Sequence, residues 1–168
     1  MSTPKRKKSK RAVNTGPKSP EAQNRRKLYA HSFERISEAR KQGFYLEAIT
    51  LTESLIADRL EARLAAIHDQ KPEKRYFSTL GNLTQELSGE SAGETAAMKK
   101  IYDDVFKWAA RRNKALHQMA KLAEGDAEKW HANYAASEKI ADDGLKLFRQ
   151  LDSAVKRLNK PASSPDAS

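Results

Sequence analysis

Arg112, Asn113 and His117 are the residues of this chain best equipped for chemistry. They lie within Trp108–Met119, which reads W-A-A-R-R-N-K-A-L-H-Q-M. A histidine titrates near neutral pH and can take or deliver a proton. A guanidinium can hold phosphate oxygens in a bidentate fork and stabilise charge in the transition state. An amide can orient the histidine or contact the same phosphate. Together these groups suit metal-free cleavage of RNA, in which the ribose 2′-hydroxyl loses a proton and attacks the adjacent phosphate. They equally suit phosphate binding alone, and the residue types do not choose between the two.

The spacing of apolar residues places the set on a helix. Met98, Ile101, Val105 and Trp108 recur every three or four residues, and Ala115 or Leu116, Met119 and Leu122 continue the pattern. Arg112 falls on that apolar stripe, so it must either reach water or find a partner, because an unpaired buried charge is costly. Asn113 and His117 are four residues apart and share one face. Arg112 and His117 are separated by about 140° around a helix of 3.6 residues per turn. One straight helix therefore does not aim both at one point. Either the helix is distorted here, or two copies meet across a seam and pool their side chains.

The surrounding elements read as a helical scaffold. Ser19-Pro20-Glu21 is a helix start, and Leu28, Tyr29, Phe33, Ile36 and Ala39 follow at helical spacing up to Gly43. A second helix from about Phe44 to about His68 carries the stripe Tyr45, Ala48, Ile49, Thr52, Leu55, Ile56, Leu60, Leu64 and Ile67. The Gly43 break implies an antiparallel hairpin of the two. Glu53, Asp58, Arg59 and Glu61 fall on its polar side and read as a solvated face, with Glu53 nearest the stripe. A short third helix is expected over Tyr76–Leu87, despite Gly81. The motif helix begins at Glu94, its acids early, and ends near Gly125. Gly125-Asp126 reads as a C-cap followed by an N-cap, and the last helix spans Ala127–Leu158 with Gly144 as a bend. His131, beside Trp130, reads as a packing or surface residue. The expected fold is all-α: an antiparallel bundle of four to five helices over residues 20–160. It is flanked by a disordered basic arm (1–19) and a polar tail (161–168).

Composition narrows the function classes. The chain has 168 residues, which fits one helical core, and no cysteine, which excludes disulfides, thiolate metal sites and a cysteine nucleophile. No run of eighteen apolar residues exists, and no apolar segment follows the basic N-terminus. The expectation is a cytoplasmic protein without a membrane span or signal peptide. His31, His68, His117 and His131 show no H-E-x-x-H spacing, and no phosphate-cradling glycine motif is present, so neither a metal nor another cofactor is expected. The net charge of +10 is unevenly placed. Residues 1–27 hold ten Lys or Arg against Glu21, a net +9, and the rest hold 22 basic against 21 acidic residues, a net +1. Lys5, Arg6, Lys7, Lys8, Lys10 and Arg11 form a nucleic-acid-binding arm that can grip phosphates without sequence preference. The alternative is a solubilising tail.

Arg112-Asn113-Lys114-Ala115-Leu116-His117 resembles the signature of the HEPN domain family: arginine, a polar residue that is often asparagine, three further residues, then histidine. The resemblance covers six residues at the level of motif and about residues 24–158 at the level of helix order. It implies an all-α, commonly dimeric, metal-independent endoribonuclease of the toxin–antitoxin or antiphage-defence kind, with RNA as substrate. Carried over, Arg112 binds and polarises the scissile phosphate, His117 is the general acid or base, and Asn113 is the supporting polar residue. Glu53 matches the acidic residue that family members often carry on an earlier helix, and its alternative reading is a surface glutamate. Arg111 is the alternative phosphate contact. The resemblance also implies a homodimer whose twofold seam brings Arg112 near the mate's His117, lined by exposed Trp108 and Met119, and an antitoxin or sensor protein as a further partner. Some members of the family are non-catalytic modules that bind nucleotides or proteins.

Overall fold

The computed structural model describes residues 20–67, 79–90, 94–120 and 127–158. Among them are five helices and no strand: α1 (Pro20–Lys41), α2 (Tyr45–Ile67), α3 (Leu80–Gly89), α4 (Ala96–Ala120) and α5 (Ala127–Leu158). The basic arm, the Gly125-Asp126 junction and the polar tail lie outside the described residues.

The α1–α2 hairpin forms where Gly43 predicts it. Gly43 adopts φ 79°, the left-handed conformation that glycine takes without a steric penalty. The Phe44 N–H donates to the Ala39 carbonyl at 2.7 Å and the Gly43 N–H to that of Arg40 at 3.2 Å. This pair of bonds satisfies the last carbonyls of α1 and reverses the chain. The Tyr134 hydroxyl of α5 donates to the Gly43 carbonyl, which ties the turn to the bundle.

α2 and α4 both pack on α5, α3 closes against α4 and α2, and α1 covers α2. The stripes named above meet in one core that includes Ile36, Ile49, Ile56, Leu60, Leu87, Met98, Val105, Phe148, Leu151 and Val155. Phe148 of α5 packs against α1, with its ring 5.4 Å from that of Phe33 and 6.0 Å from that of Tyr29.

Several elements differ from the sequence expectation. α3 starts at Leu80, because Thr79 is extended (φ −70°, ψ 160°) and its side chain accepts the Asn82 N–H. α4 starts at Ala96. The Thr95 hydroxyl caps it by accepting the Met98 N–H at 3.2 Å, and Glu94 precedes the helix with its side chain fully buried. Tyr102 is fully buried, whereas Ile101 is only partly so. Asp58 and Arg59 belong to no solvated face. The Tyr29 hydroxyl donates to Asp58 at 2.6 Å, and Arg59 lies over the Tyr29 ring while pairing with Asp152 of α5 at 2.6 Å. Burial, and then the Asp58 charge, push the Tyr29 hydroxyl above its ordinary pKa, so it stays a donor.

Gly144 serves close approach. A Cβ built there would lie 2.5–2.8 Å from the Trp108 indole, a distance that no packed pair tolerates. Gly144→Ala is expected to cost about 1–3 kcal/mol, the usual range for overpacking. Gly81→Ala meets only ordinary contacts at 3.6 Å and is expected to stabilise α3 by up to about 1 kcal/mol through helix propensity. Urea denaturation of the two variants beside the parent checks the opposite signs.

Candidate functional site

α4 is an unbroken α-helix from Ala96 to Ala120, so no distortion brings Arg112 and His117 to one point within a single chain. The rotation of α4 is set one turn before the motif. The Trp108 side chain is fully buried and its indole N–H donates to the Ile140 carbonyl of α5 at 2.9 Å. With Trp108 held in that way, the next residue on its stripe, Arg112, points inward.

Arg112 has found the partner its position demands. Its side chain is only 14% exposed, and its Nη2 pairs with the Glu53 carboxylate of α2. Nη1 donates to Asn113 Oδ1 at 2.6 Å. Nε is buried without a hydrogen-bond partner among the described residues. Burial lowers the Arg112 pKa, yet a guanidinium stays charged at any working pH. Glu53 is 27% exposed, and so the pair lies at the edge of the core. Arg112, Asn113 and Glu53 thus form one cluster across the α2·α4 seam.

His117 stands apart. It is exposed and has no hydrogen-bond or ion-pair partner among the described residues. Arg111 points elsewhere. Its Nη1 donates to Asp143 of α5 at 2.8 Å, and Lys139 approaches the same carboxylate at 3.5 Å. Burial pushes the Asp143 carboxyl up, but the Arg111 hydrogen bond and the two positive charges outweigh it and hold it below its ordinary value. Arg111 is therefore a tie between α4 and α5.

Trp108 corrects the expected dimer seam. It is wholly enclosed by α5 and offers nothing to a second copy. The Met119 side chain lies outside the described residues. On α4 the exposed large apolar residue is Phe106, 44% exposed. It lines an open groove of about 610 Å³ with Lys107, Arg111, Asp143, Lys146 and Leu147. Lys5, Arg6, Lys7, Lys8, Lys10 and Arg11 lie outside the described residues. Among the described residues no group of three or more His, Cys, Asp or Glu is placed to hold a metal, and no helix is long and apolar enough to cross a membrane.

Sequence reasoning missed a second charged cluster on the same seam. The Glu94 carboxylate is fully buried, 2.5 Å from the Arg63 Nε of α2, and accepts the Tyr102 hydroxyl at 2.9 Å. Burial, then the Glu94 bond, raise the Tyr102 pKa above its ordinary value. The signal was available: Arg63 falls three residues after Leu60 and seven after Ile56, on the α2 stripe, as Arg112 does on that of α4.

Comparison of the chain with protein-family models, with curated proteins and with solved structures found no match.

Two predictions rest on this geometry. Glu53→Ala strands a mostly enclosed guanidinium and is expected to cost about 1–3 kcal/mol. Adding Arg112→Ala is expected to return part of that loss, with a coupling of about 1–2 kcal/mol in a double-mutant cycle read by urea denaturation. The second concerns acid. The folded-state pKa of Asp143 is depressed, so its contribution is fully present above the ordinary aspartate value, about 3.9, and is lost as pH falls through the lower folded value. Denaturation midpoints should drop over that range in the parent, and Asp143→Asn should flatten part of the drop.

Proposed function

We propose that this chain is a metal-independent endoribonuclease of HEPN type that works as a homodimer. What supports the reading above all is the enclosure of Arg112 by Glu53 and Asn113 on the helix that carries His117, exposed and without a partner among the described residues. Such an arginine is held ready before any substrate arrives. Two of its nitrogens are engaged by Glu53 and Asn113, and it keeps further N–H groups for a phosphate oxygen. Within one chain Arg112 and His117 diverge, so the working cleft is assembled from Arg112 of one protomer and His117 of its mate.

In that cleft a histidine takes the proton from the ribose 2′-hydroxyl, and the oxygen attacks the adjacent phosphorus. The P–O5′ bond breaks, and a protonated histidine returns a proton to the departing 5′-oxygen. Arg112 stabilises the negative charge that gathers on the non-bridging oxygens. The products are a 2′,3′-cyclic phosphate and a 5′-hydroxyl. Glu53 is a positioning residue that fixes the guanidinium. In this reading the basic arm from Lys5 to Arg11 supplies the positive potential that the nearly neutral body lacks. The biological setting is a toxin or antiphage effector in the cytoplasm, restrained by an antitoxin or sensor protein.

A second reading is a non-catalytic HEPN-like module that binds nucleic acid or a protein. It is favoured by His117, which has no partner among the described residues to orient it. Incubating the protein with structured RNA in EDTA separates the two. Cutting by the parent, with Arg112→Ala and His117→Ala slowed at least about 100-fold, is the outcome expected of general acid–base chemistry. Equal RNA retention by all three proteins without cutting is the outcome of the binding module.

A further inference from the structure

Three aromatic rings form a ladder at the α1–α2 turn. Tyr45 of α2 lies 5.3 Å from Tyr134 of α5, and Trp130 stacks on Tyr134 at 5.2 Å with only 11° between the ring planes. The ladder is fixed at its middle ring, because the Tyr134 hydroxyl is bonded to the Gly43 carbonyl. At its outer end Trp130 remains 39% exposed, with His131 edge-on to it at 5.2 Å. An immobilised, offset-stacked pair that ends in an open indole is the arrangement on which a flat aromatic ligand continues the stack.

The ladder lies at the motif's end of the bundle. Trp108 lies against Gly144 and Arg111 against Asp143, so residue numbers fall along α5 as they rise along α4 and the two helices run antiparallel. Continuing that register along α4 brings His117 level with Ser137 of α5, about one turn from Tyr134 and about two from Trp130. The charges there suit a polyanion. Lys41, Lys114 and His117 are exposed and have no acidic partner among the described residues. Glu138 is close enough to Tyr45 for its charge, after burial, to raise the Tyr45 pKa, so an acid shares this face with those bases.

We propose that Trp130, backed by Tyr134 and Tyr45, is a stacking site for an unpaired nucleobase of the RNA strand held at Arg112 and His117. The inference rests on the ribonuclease reading and adds a substrate class to it: RNA with splayed, single-stranded bases. Bases inside a duplex are already stacked and cannot reach the indole.

The test uses the full chain carrying His117→Ala, so that RNA is bound and not turned over. Three probes are titrated: an RNA of about twelve nucleotides without self-complementarity, the same strand annealed to its complement, and an abasic phosphodiester of equal length. Trp108 is fully buried, so quenching of tryptophan emission reports on Trp130. The expected result is quenching by the single strand and none by the abasic chain. Trp130→Ala should weaken single-strand binding about ten-fold, Trp130→Phe should retain most of it, and neither should change duplex binding. Unaltered single-strand affinity in Trp130→Ala overturns the proposal, as does equal quenching by the abasic chain. Self-association abolished by Trp130→Ala, with RNA affinity unchanged, overturns it in favour of a second copy at this surface. If no RNA binds at all, the ribonuclease reading falls with it. Cutting that His117→Ala abolishes, with Trp130 idle, leaves the nuclease standing and removes only the stacking site.

Discussion

The burial of Trp108 against Gly144 decides how α4 presents every other residue it carries. The indole fits only because position 144 has no side chain, and its N–H is satisfied by the Ile140 carbonyl. An indole so confined cannot rotate around the helix axis, and neither can the helix that bears it. Arg112 follows one turn later on the same stripe and is thereby driven into the α2·α4 seam. Its ion pair with Glu53 answers that placement, since a guanidinium there without a counter-charge would be costly to enclose. The motif's geometry is thus a consequence of core packing four residues away.

α5 gathers the remaining helices through its acids. Arg40 of α1 pairs with Asp142, Arg59 of α2 with Asp152 and Arg111 of α4 with Asp143. Each pair bridges two helices whose apolar stripes already meet, so each adds direction to a contact that the hydrophobic core supplies. This arrangement also explains why the body is close to neutral despite its many charges. Among the described residues Arg35, Arg40, Arg59, Arg63, Arg111 and Arg112 each answer an acid outside their own helix.

The helices were legible from residue spacing because the signals were local: Pro20 at a helix start, Gly43 at a reversal, and stripes of three and four along each segment. Arg112's need for a partner was equally legible, since a charge on an apolar stripe is a local contradiction. What spacing did not reveal was how many neighbours each face would meet. Trp108 was expected to be free for a second copy, but α5 encloses it. Asp58 and Arg59 were expected in solvent, but α1 and α5 reach them. Gly144 was read as a bend, because a glycine in a helix carries no mark of the ring that lies against it. Glu94 was read as an acid facing a helix dipole, and its burial follows from Arg63 and Tyr102, which only the tertiary fold brings to it. In the candidate site, the Arg112–Asn113–Glu53 cluster was within reach of sequence reasoning, while the divergence of His117 followed from the helix being straight.

The two Arg–Glu pairs that join α2 to α4 and its leading residues run with opposite polarity. At one end the acid is on α2 (Glu53) and the base on α4 (Arg112). At the other, the base is on α2 (Arg63) and the acid, Glu94, lies just before α4. Reversing α4 would set carboxylate against carboxylate and guanidinium against guanidinium in a poorly hydrated seam, an arrangement that like-charge repulsion forbids. The interface is therefore keyed for a single direction of docking.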